Sequence, residues 1–168
     1  SSDVCSSDLA NTVNGVSFAP DFVWVKSRSA ATDHKLTDSV RGVTKALISD
    51  TTGAETTDTN GLTAFGSTGF TLGTDTVYNN NTATYVGWQW KAGGAAVTNT
   101  AGSINSQVSA NTTAGFSVVT YTGNGTAATQ TIGHGLPSTL SMVIIKGRSG
   151  SNDMNWVVSH SSISVPKI

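Results

Sequence analysis

Residues 83–91 alternate their side chains with the two-residue period of a β-strand. Trp88 and Trp90 share one face of this segment, and Tyr85 and Gln89 share the other. Similar apolar segments recur along the chain and are bounded by Gly, Asn and Pro, which are residues typical of turns. These further segments are residues 21–28, 115–123, 141–148 and 155–160. Short strands with turns between them predict an all-β chain folded as a sandwich or barrel.

The scarcity of charge supports this prediction and excludes several classes of function. Only 11% of the 168 residues are charged, against about 25% in an average globular protein. Helix surfaces are usually built from Glu, Lys, Gln and Arg, so an all-α fold is excluded. A net charge of −1 provides no positive electrostatic potential to attract nucleic acid. No apolar run approaches the ~20 residues of a membrane span. We therefore expect neither nucleic-acid binding nor membrane insertion.

The first nine residues, SSDVCSSDL, lack the charged and apolar regions of a signal peptide. They resemble the translated end of a sequencing adapter fused in frame to a metagenomic fragment. On this interpretation residues 1–9 are an artefact and take no part in the fold. Cys5 is the only cysteine of the chain, so the natural protein would have neither disulfides nor thiol chemistry.

The chain also matches itself at a shift of about 120 residues. Residues 22–29 then align with residues 142–149, and both segments place four apolar residues before a K-x-R-S sequence. The matching polar pairs are Lys26 with Lys146, Arg28 with Arg148, and Asp33 with Asp153. The match predicts an internal repeat.

The repeat predicts a division of the chain into parts. Residues 10–94 form the later part of a first β unit, and residues 115–168 form the opening strands of a truncated second unit. Between them, residues 95–114 are rich in Gly, Ala, Ser and Thr, and we interpret them as a linker or a weak edge strand. A chain cut within a repeat would expose strand edges, and exposed edges favour association.

The strand motifs resemble a known family in their order along the chain. The first group is PDFVWVKSR, DSVRG, GFTLGTD and TYVGWQWKAGG, and the second is TYTGNG, IGHGL, MVIIK and NWVVSH. Together they resemble repeat modules of tail-fibre-like structural proteins from marine and environmental tailed bacteriophages. The resemblance implies an antiparallel β-sandwich of jelly-roll or concanavalin-like type, with incomplete repeats and no catalytic role. The chain departs from the family pattern near its end, where Ser159 stands in place of the usual tyrosine.

The chain has three histidines, which are candidates for catalytic or metal-binding residues. His34 lies near Asp33, Asp38 and Ser39, but no serine has the G-x-S-x-G surroundings of a nucleophile elbow, and a polar loop is the favoured interpretation. His134 lies between two glycines, which favours a hydrogen-bonding role in a turn. His160 ends a strand and has no evident role. We expect no catalytic residues, no metal site and no cofactor.

The acidic residues are also few. Two of the ten acidic residues lie within residues 1–9, and the eight that remain include a single Glu. A glycosidase needs two paired carboxylates, and few residues of this chain could supply them. Oxygens for a Ca²⁺ ion could come from one loop, in which Asp50, Glu55, Asp58 and Asn60 lie close in sequence. Their spacing does not match an EF-hand, so an ordinary polar loop is favoured.

The tryptophans are the remaining candidates for binding. Stacking on sugar rings would need Trp88 and Trp90 to be exposed, whereas a sandwich core would bury them, together with Trp24 and Trp156. We favour the core. Ligand contact would then fall to the opposite face of the same strand, at Tyr85, Gln89 and Lys91.

From these observations we expect a non-catalytic structural or receptor-binding module of a phage tail fibre, located in the virion. Its partners would be a host cell-surface glycan or another receptor, and further copies of the fibre chain. The alternative is a carbohydrate-binding module of an extracellular bacterial adhesin. A polysaccharide depolymerase is a third interpretation, which would require two close carboxylates in a cleft. The residues that contact the ligand are not identified by the sequence.

Overall fold

The computed structural model describes residues 10–150 and 155–163 of the chain. The interpretation of residues 1–9 as an artefact, and the matching Asp153 of the repeat, lie outside the described residues. The elements are β1 (Asn11–Asn14), β2 (Phe22–Ser27), β3 (Lys35–Asp38), β4 (Lys45–Ile48), β5 (Thr56–Thr57), β6 (Leu62–Phe65), β7 (Gly69–Leu72), α1 (Thr76–Asn79), β8 (Tyr85–Trp90), β9 (Val97–Asn99), β10 (Ser106–Asn111), β11 (Phe116–Tyr121), β12 (Met142–Lys146) and β13 (Trp156–His160).

All neighbouring strands pair antiparallel. A five-stranded sheet has the order β5-β4-β3-β2-β8, and a three-stranded sheet has the order β1-β7-β6. A second three-stranded sheet, β11-β10-β9, and the β12-β13 hairpin follow in the chain. The predicted all-β antiparallel sandwich is confirmed. Among the described residues, no helix is long and apolar enough to cross a membrane.

The main core lies between the five-stranded sheet and the β1-β7-β6 sheet, and these two sheets are called the main sandwich here. β2 contributes Val23 and Val25, which are buried by the alternation of its side chains. The facing sheet contributes Leu62, Phe70 and Leu72. Tyr78, from the short helix α1, completes the cluster. Burial of these side chains is the main term that stabilises the fold.

A buried carboxylate joins the ends of three strands in this sheet. Asp21 precedes β2 and accepts a hydrogen bond from the Ser39 hydroxyl at 2.8 Å, just beyond β3. Its other oxygen accepts the amides of Ala92 at 2.9 Å and Gly94 at 3.3 Å, just beyond β8. The Asp21 amide itself donates to the carbonyl of Trp90 at 2.8 Å. These bonds hold β8 in register against β2.

The interpretation of residues 95–114 as a linker or weak edge strand is wrong, because β10 is the central strand of its sheet. Its small side chains are buried and make hydrogen bonds rather than facing solvent. The Ser109 hydroxyl donates to the carbonyl of Gly94 at 2.7 Å and accepts the amide of Gly93 at 2.9 Å. A side chain at residue 93 would collide with the carbonyl of Ala110. The small residues of this segment therefore allow its backbone to pack closely against β10.

We expect Asp21→Ala to lower the free energy of unfolding by roughly 2–4 kcal/mol, because it leaves buried amides and a hydroxyl without their charged acceptor. Asp21→Asn keeps one acceptor oxygen and should cost less. Urea denaturation followed by tryptophan fluorescence measures both. Asp50→Ala, at an exposed position, is the control and should change stability by less than about 0.5 kcal/mol. Equal stabilities for the Asp21→Ala and Asp50→Ala variants would contradict the assigned role.

Candidate binding site

The outer face of the five-stranded sheet, opposite the main core, carries a row of aromatic side chains. Phe22 and Trp24 alternate with the buried valines of β2 and therefore point outward. On the neighbouring strand β8, Trp90 lies directly opposite Phe22, and Trp88 directly opposite Trp24. These four residues are called the aromatic strip.

The rings of the aromatic strip contact one another across the two strands. The centroids of Trp24 and Trp88 are 5.7 Å apart, and those of Phe22 and Trp90 are 5.3 Å apart. Both pairs are edge-to-face, with interplanar angles of 65° and 68°, an arrangement that aromatic quadrupoles favour. The strip is therefore a preorganised surface whose rings hold each other in place.

Two further rings lie at the ends of the strip. At one end Phe116, the first residue of β11, is stacked on Trp90 with a centroid distance of 6.3 Å and an interplanar angle of 21°. At the other end the Trp24 indole N–H donates to Nδ1 of His34 at 2.9 Å. The His34 ring is 5.7 Å from that of Trp24. The hydrogen bond fixes the orientation of both rings.

The expectation that Trp88 and Trp90 belong to the core is wrong. Trp88 is 44% exposed and Trp90 is 37% exposed, which is unusual for the two largest apolar side chains of a strand. The physical reason is Gly87, which directly precedes Trp88 and lies on the opposite face of β8, toward Phe70. A Cβ at residue 87 would lie 3.3 Å from the ring of Phe70, so this ring occupies the space that a side chain of β8 would otherwise fill. Trp24 is half-buried but lies on the same outer face, so its assignment to the core is also wrong, and Trp156 is half-buried.

The opposite face of β8, considered in the sequence for ligand contact, packs inward instead. Tyr85 packs against the main core, and its hydroxyl donates to the carbonyl of Thr76 and accepts the amide of Asn80, each at 2.9 Å. Gln89 is half-buried, and its Oε1 atom is buried. Lys91 is exposed but lies beyond the end of the strand. These residues do not form an open binding surface together.

The histidines serve local structure. His34, Asp38 and Ser39, which lie near each other in sequence, do not form a catalytic Ser-His-Asp arrangement. Asp38 pairs with Arg41, Ser39 donates to Asp21, and His34 accepts from Trp24. His134 accepts the amide of Leu136 at 3.2 Å, as expected for a hydrogen-bonding turn residue. His160 likewise accepts the amide of Ser162 at 3.1 Å.

The four residues considered for Ca²⁺ point to different partners. Asp50 accepts the backbone amide of His34, and Asp58 accepts that of Asn60. Glu55 is bound by two arginines. In the part of the chain that the structure describes, no group of three His, Cys, Asp or Glu side chains is placed to hold a metal ion.

An ion-pair cluster around Arg41, whose side chain is only 3% exposed, was not predicted from the sequence. Arg41 pairs with Asp38 on its own turn and with Glu55 at 3.0 Å. Glu55 also receives two hydrogen bonds from Arg148, at 2.9 and 3.0 Å. Partial burial acts to raise the pKa of Glu55, but the hydrogen bonds and charges of Arg148 and Arg41 outweigh it and hold that pKa below its ordinary value. The cluster joins the β12-β13 region to the main sandwich.

Two acidic residues, Asp58 and Asp75, lie close together near α1. Burial, followed by the hydrogen bond and charge of Asp75, raises the pKa of Asp58 to about 6. Asp75 caps the helix by accepting the amide of Val77 at 2.8 Å. Burial and the nearby charge of Asp58 also raise the pKa of the Tyr78 hydroxyl. The pair belongs to the packing around Tyr78.

A polar groove of about 480 Å³ lies beside β10 and β11. Hydroxyl and amide side chains line it, together with Tyr121 and Arg148. A second open depression lies beside Asp50 and Trp156. Neither depression is lined by two carboxylates, as a glycoside hydrolase would require.

A family model described as a domain of unknown function, DUF7483, matches residues 4–167. The chain belongs to this family. The match includes the main sandwich, the β11-β10-β9 sheet and the β12-β13 hairpin. No curated protein and no solved structure shows significant similarity to the chain. The aromatic strip is therefore interpreted from its own geometry.

The raised pKa of Asp58 makes a testable contribution to stability. The folded state holds a proton that the unfolded state releases between pH 3.8 and about 6, so this contribution is complete below pH 3.8 and is lost as the pH rises through about 6. Asp58→Asn mimics the protonated form and keeps the acceptor oxygen for the Asn60 amide. We expect this variant to melt a few degrees above the wild type at pH 7.5 and close to it at pH 4.

Calorimetric melting curves at the two pH values measure this difference. The low pKa of Glu55 acts equally in the wild type and the Asp58→Asn variant and cancels between them. Asp50→Asn is the control and should leave the melting temperature unchanged at both pH values. An Asp58→Asn variant that is no more stable than the wild type at pH 7.5 would contradict the assigned protonation.

Proposed function

We propose that the chain is a non-catalytic binding module of a fibre or appendage protein, of the kind found in phage tail fibres, and that its aromatic strip binds glycans of a host surface. The observation that carries the proposal is the exposure of Trp88 and Trp90 on a rigid five-stranded sheet. Contiguous exposed apolar side chains of this size are typical of interaction sites.

The chemistry of the strip suits a sugar ring. A sugar presents C–H groups on its ring faces and hydroxyls around its edge, so it matches an apolar surface with polar neighbours. Tryptophan supplies a large rigid surface at low conformational cost, together with an N–H donor. Among the described residues, the Trp24 N–H donates to His34, whereas no acceptor is found for the N–H groups of Trp88 and Trp90. These two exposed side chains therefore offer N–H donors for the hydroxyl groups of a ligand.

The low charge of the chain favours a neutral ligand. The three ionic contacts of the described structure all lie in the Arg41 cluster and are satisfied within the protein. A surface of hydroxyl and amide groups binds without relying on charge attraction, which salt screens. A single site of this kind is weak, and a fibre with many copies would gain affinity through avidity.

A carbohydrate-binding module of a bacterial surface adhesin would use the same strip on a different carrier protein. The arrangement of carboxylates favours binding over hydrolysis. Asp38 and Glu55 are neutralised by arginines, and Asp58 and Asp75 share a hydrogen bond beside α1. None of these four acids lines either open depression.

Substitution of the strip tests the proposal. We expect Trp88→Ala and Trp90→Ala each to weaken binding to a soluble neutral polysaccharide about tenfold, because each removes a stacking surface. Affinity electrophoresis in gels containing dextran, hydroxyethyl cellulose or galactomannan measures the retardation. Quenching of tryptophan fluorescence by the corresponding hexasaccharides provides the dissociation constants.

Two control variants separate the strip from other surfaces. Val97→Ala changes a 64% exposed side chain on β9 and should not affect binding. Tyr121→Ala changes the polar groove and should also have no effect. Loss of binding in Tyr121→Ala but not in the tryptophan variants would move the site to the groove. Absence of retardation by every polysaccharide would contradict glycan binding of this class.

The neutral character of the site makes a separate prediction. The dissociation constant for the retained hexasaccharide should change less than twofold between 50 and 500 mM NaCl, since no ion pair with the ligand is screened. Isothermal titration at the two salt concentrations measures this. A tenfold loss of affinity at high salt would show that charged groups carry the binding.

A further inference from the structure

The β12-β13 hairpin exposes apolar side chains on both of its faces. Met142 and Ile144 on one face are 52% and 51% exposed, and Ile145 on the other face is 42% exposed. Its partner strand β13 exposes Val157 and Val158 by more than half. A two-stranded hairpin with this composition is marginally stable by itself, and uncovered apolar strands of this kind are interaction sites.

The hairpin has a counterpart in the main sandwich. β12 aligns with β2 in the internal repeat of the sequence, and each strand pairs antiparallel with the strand that follows it in the described chain. Val143 and Ile145 occupy the positions of Val23 and Val25. Val25 is only 3% exposed, so the same position is covered in one copy and open in the other.

β2 and β3 each pair with a further strand on their second edge, whereas β12 and β13 do not in the described residues. The second edge of β2 pairs with β8 over six residues, and the second edge of β3 pairs with β4. In the described part of the chain, β12 and β13 pair only with each other. The described chain ends at Ile163, shortly after β13, and contains no second strand of the β8 type.

We propose that the open edge of β12 is an acceptor site for a strand of the β8 type, supplied by a further repeat of the same kind. Such a strand has the alternating sequence YVGWQW, with large aromatic residues on one face and glycine on the other. It would add antiparallel to β12 through main-chain hydrogen bonds, which is the mode of β-strand addition. The partner is identified by this pattern.

The register of β8 on β2 specifies how the strand would lie. Trp90 is opposite Phe22 and Trp88 is opposite Trp24, so the counterparts of these tryptophans would lie opposite Met142 and Ile144. The large rings would then cover the two exposed side chains of that face. Glycine would lie opposite Ile145, as Gly87 lies opposite Val25, and would leave room for a core side chain from the facing sheet.

A synthetic peptide of residues 83–91 tests the site on the full chain. We expect one peptide to bind per chain and to slow amide hydrogen exchange of residues 142–146 at least tenfold, with no loss of protection in β2 or β8. Fluorescence anisotropy of the labelled peptide provides the dissociation constant. The control peptide carries Gly87→Pro, which removes a ladder donor and fixes an incompatible φ, and should not bind.

Matched variants of the chain locate the acceptor. Ile144→Lys places a charge on the open edge, which opposes strand addition, and should weaken peptide binding at least tenfold. Val97→Lys, at an exposed position on β9, should bind the peptide like the wild type. Circular dichroism of both variants checks that the fold is retained.

Three results would overturn the proposal. The first is equal binding of the wild-type and proline peptides. The second is protection of β2 with loss of protection in β8, which would show displacement of the native strand. The third is concentration-dependent dimerisation that Ile144→Lys abolishes, in the absence of peptide binding. Sedimentation velocity measures this last outcome, which would identify a second copy of the chain as the occupant.

Discussion

The buried carboxylate of Asp21 helps to determine which face of β8 points outward. It accepts hydrogen bonds from beyond β3 and from beyond β8, while its own amide donates to Trp90. Because side chains alternate along a strand, a slip of one residue would turn every side chain of β8 to the other face. The Asp21 bonds oppose that slip at one end of the pair. The same contact that stabilises the sheet therefore keeps Trp88 and Trp90 on its outer face.

The strands were predictable from the sequence, but the direction in which β8 faces was not predicted correctly. The alternation of residues 83–91 identified the strand, and hydrophobicity then assigned its tryptophan face to the core. The ring of Phe70 in the core requires space next to β8, and Gly87 provides this space because it has no side chain. Glycine inside a strand is a signal for close approach, and it was the available evidence for the opposite orientation. Side-chain size alone is a poor guide where one large core ring meets a glycine from the facing strand.

The ion-pair cluster illustrates a contact that sequence patterns do not reveal. Arg41 lies in a turn between two short strands, where an arginine is usually solvated, yet its side chain is buried by Asp38 and Glu55. Arg148, more than ninety residues later, completes the cluster. A buried charge without its partners is strongly unfavourable, so the cluster specifies one position for the hairpin rather than adding much net stability. Similarly, the hydroxyls of β10 make buried hydrogen bonds that a count of apolar residues overlooks.

The elements that follow the main sandwich in the chain contribute to its outer face. Phe116 of β11 is stacked on Trp90 at one end of the aromatic strip. The Trp156 indole N–H of β13 donates to the carbonyl of Ile48, at the end of β4 and away from β8 in the five-stranded sheet. The strip therefore lies on a surface that the later strands help to define. If successive units follow one another in this way, each unit shapes the outer face of the one before it. On the proposed function, assembly and ligand binding would then depend on the same strand register, and a neutral, weakly binding surface would be effective only as part of an ordered array.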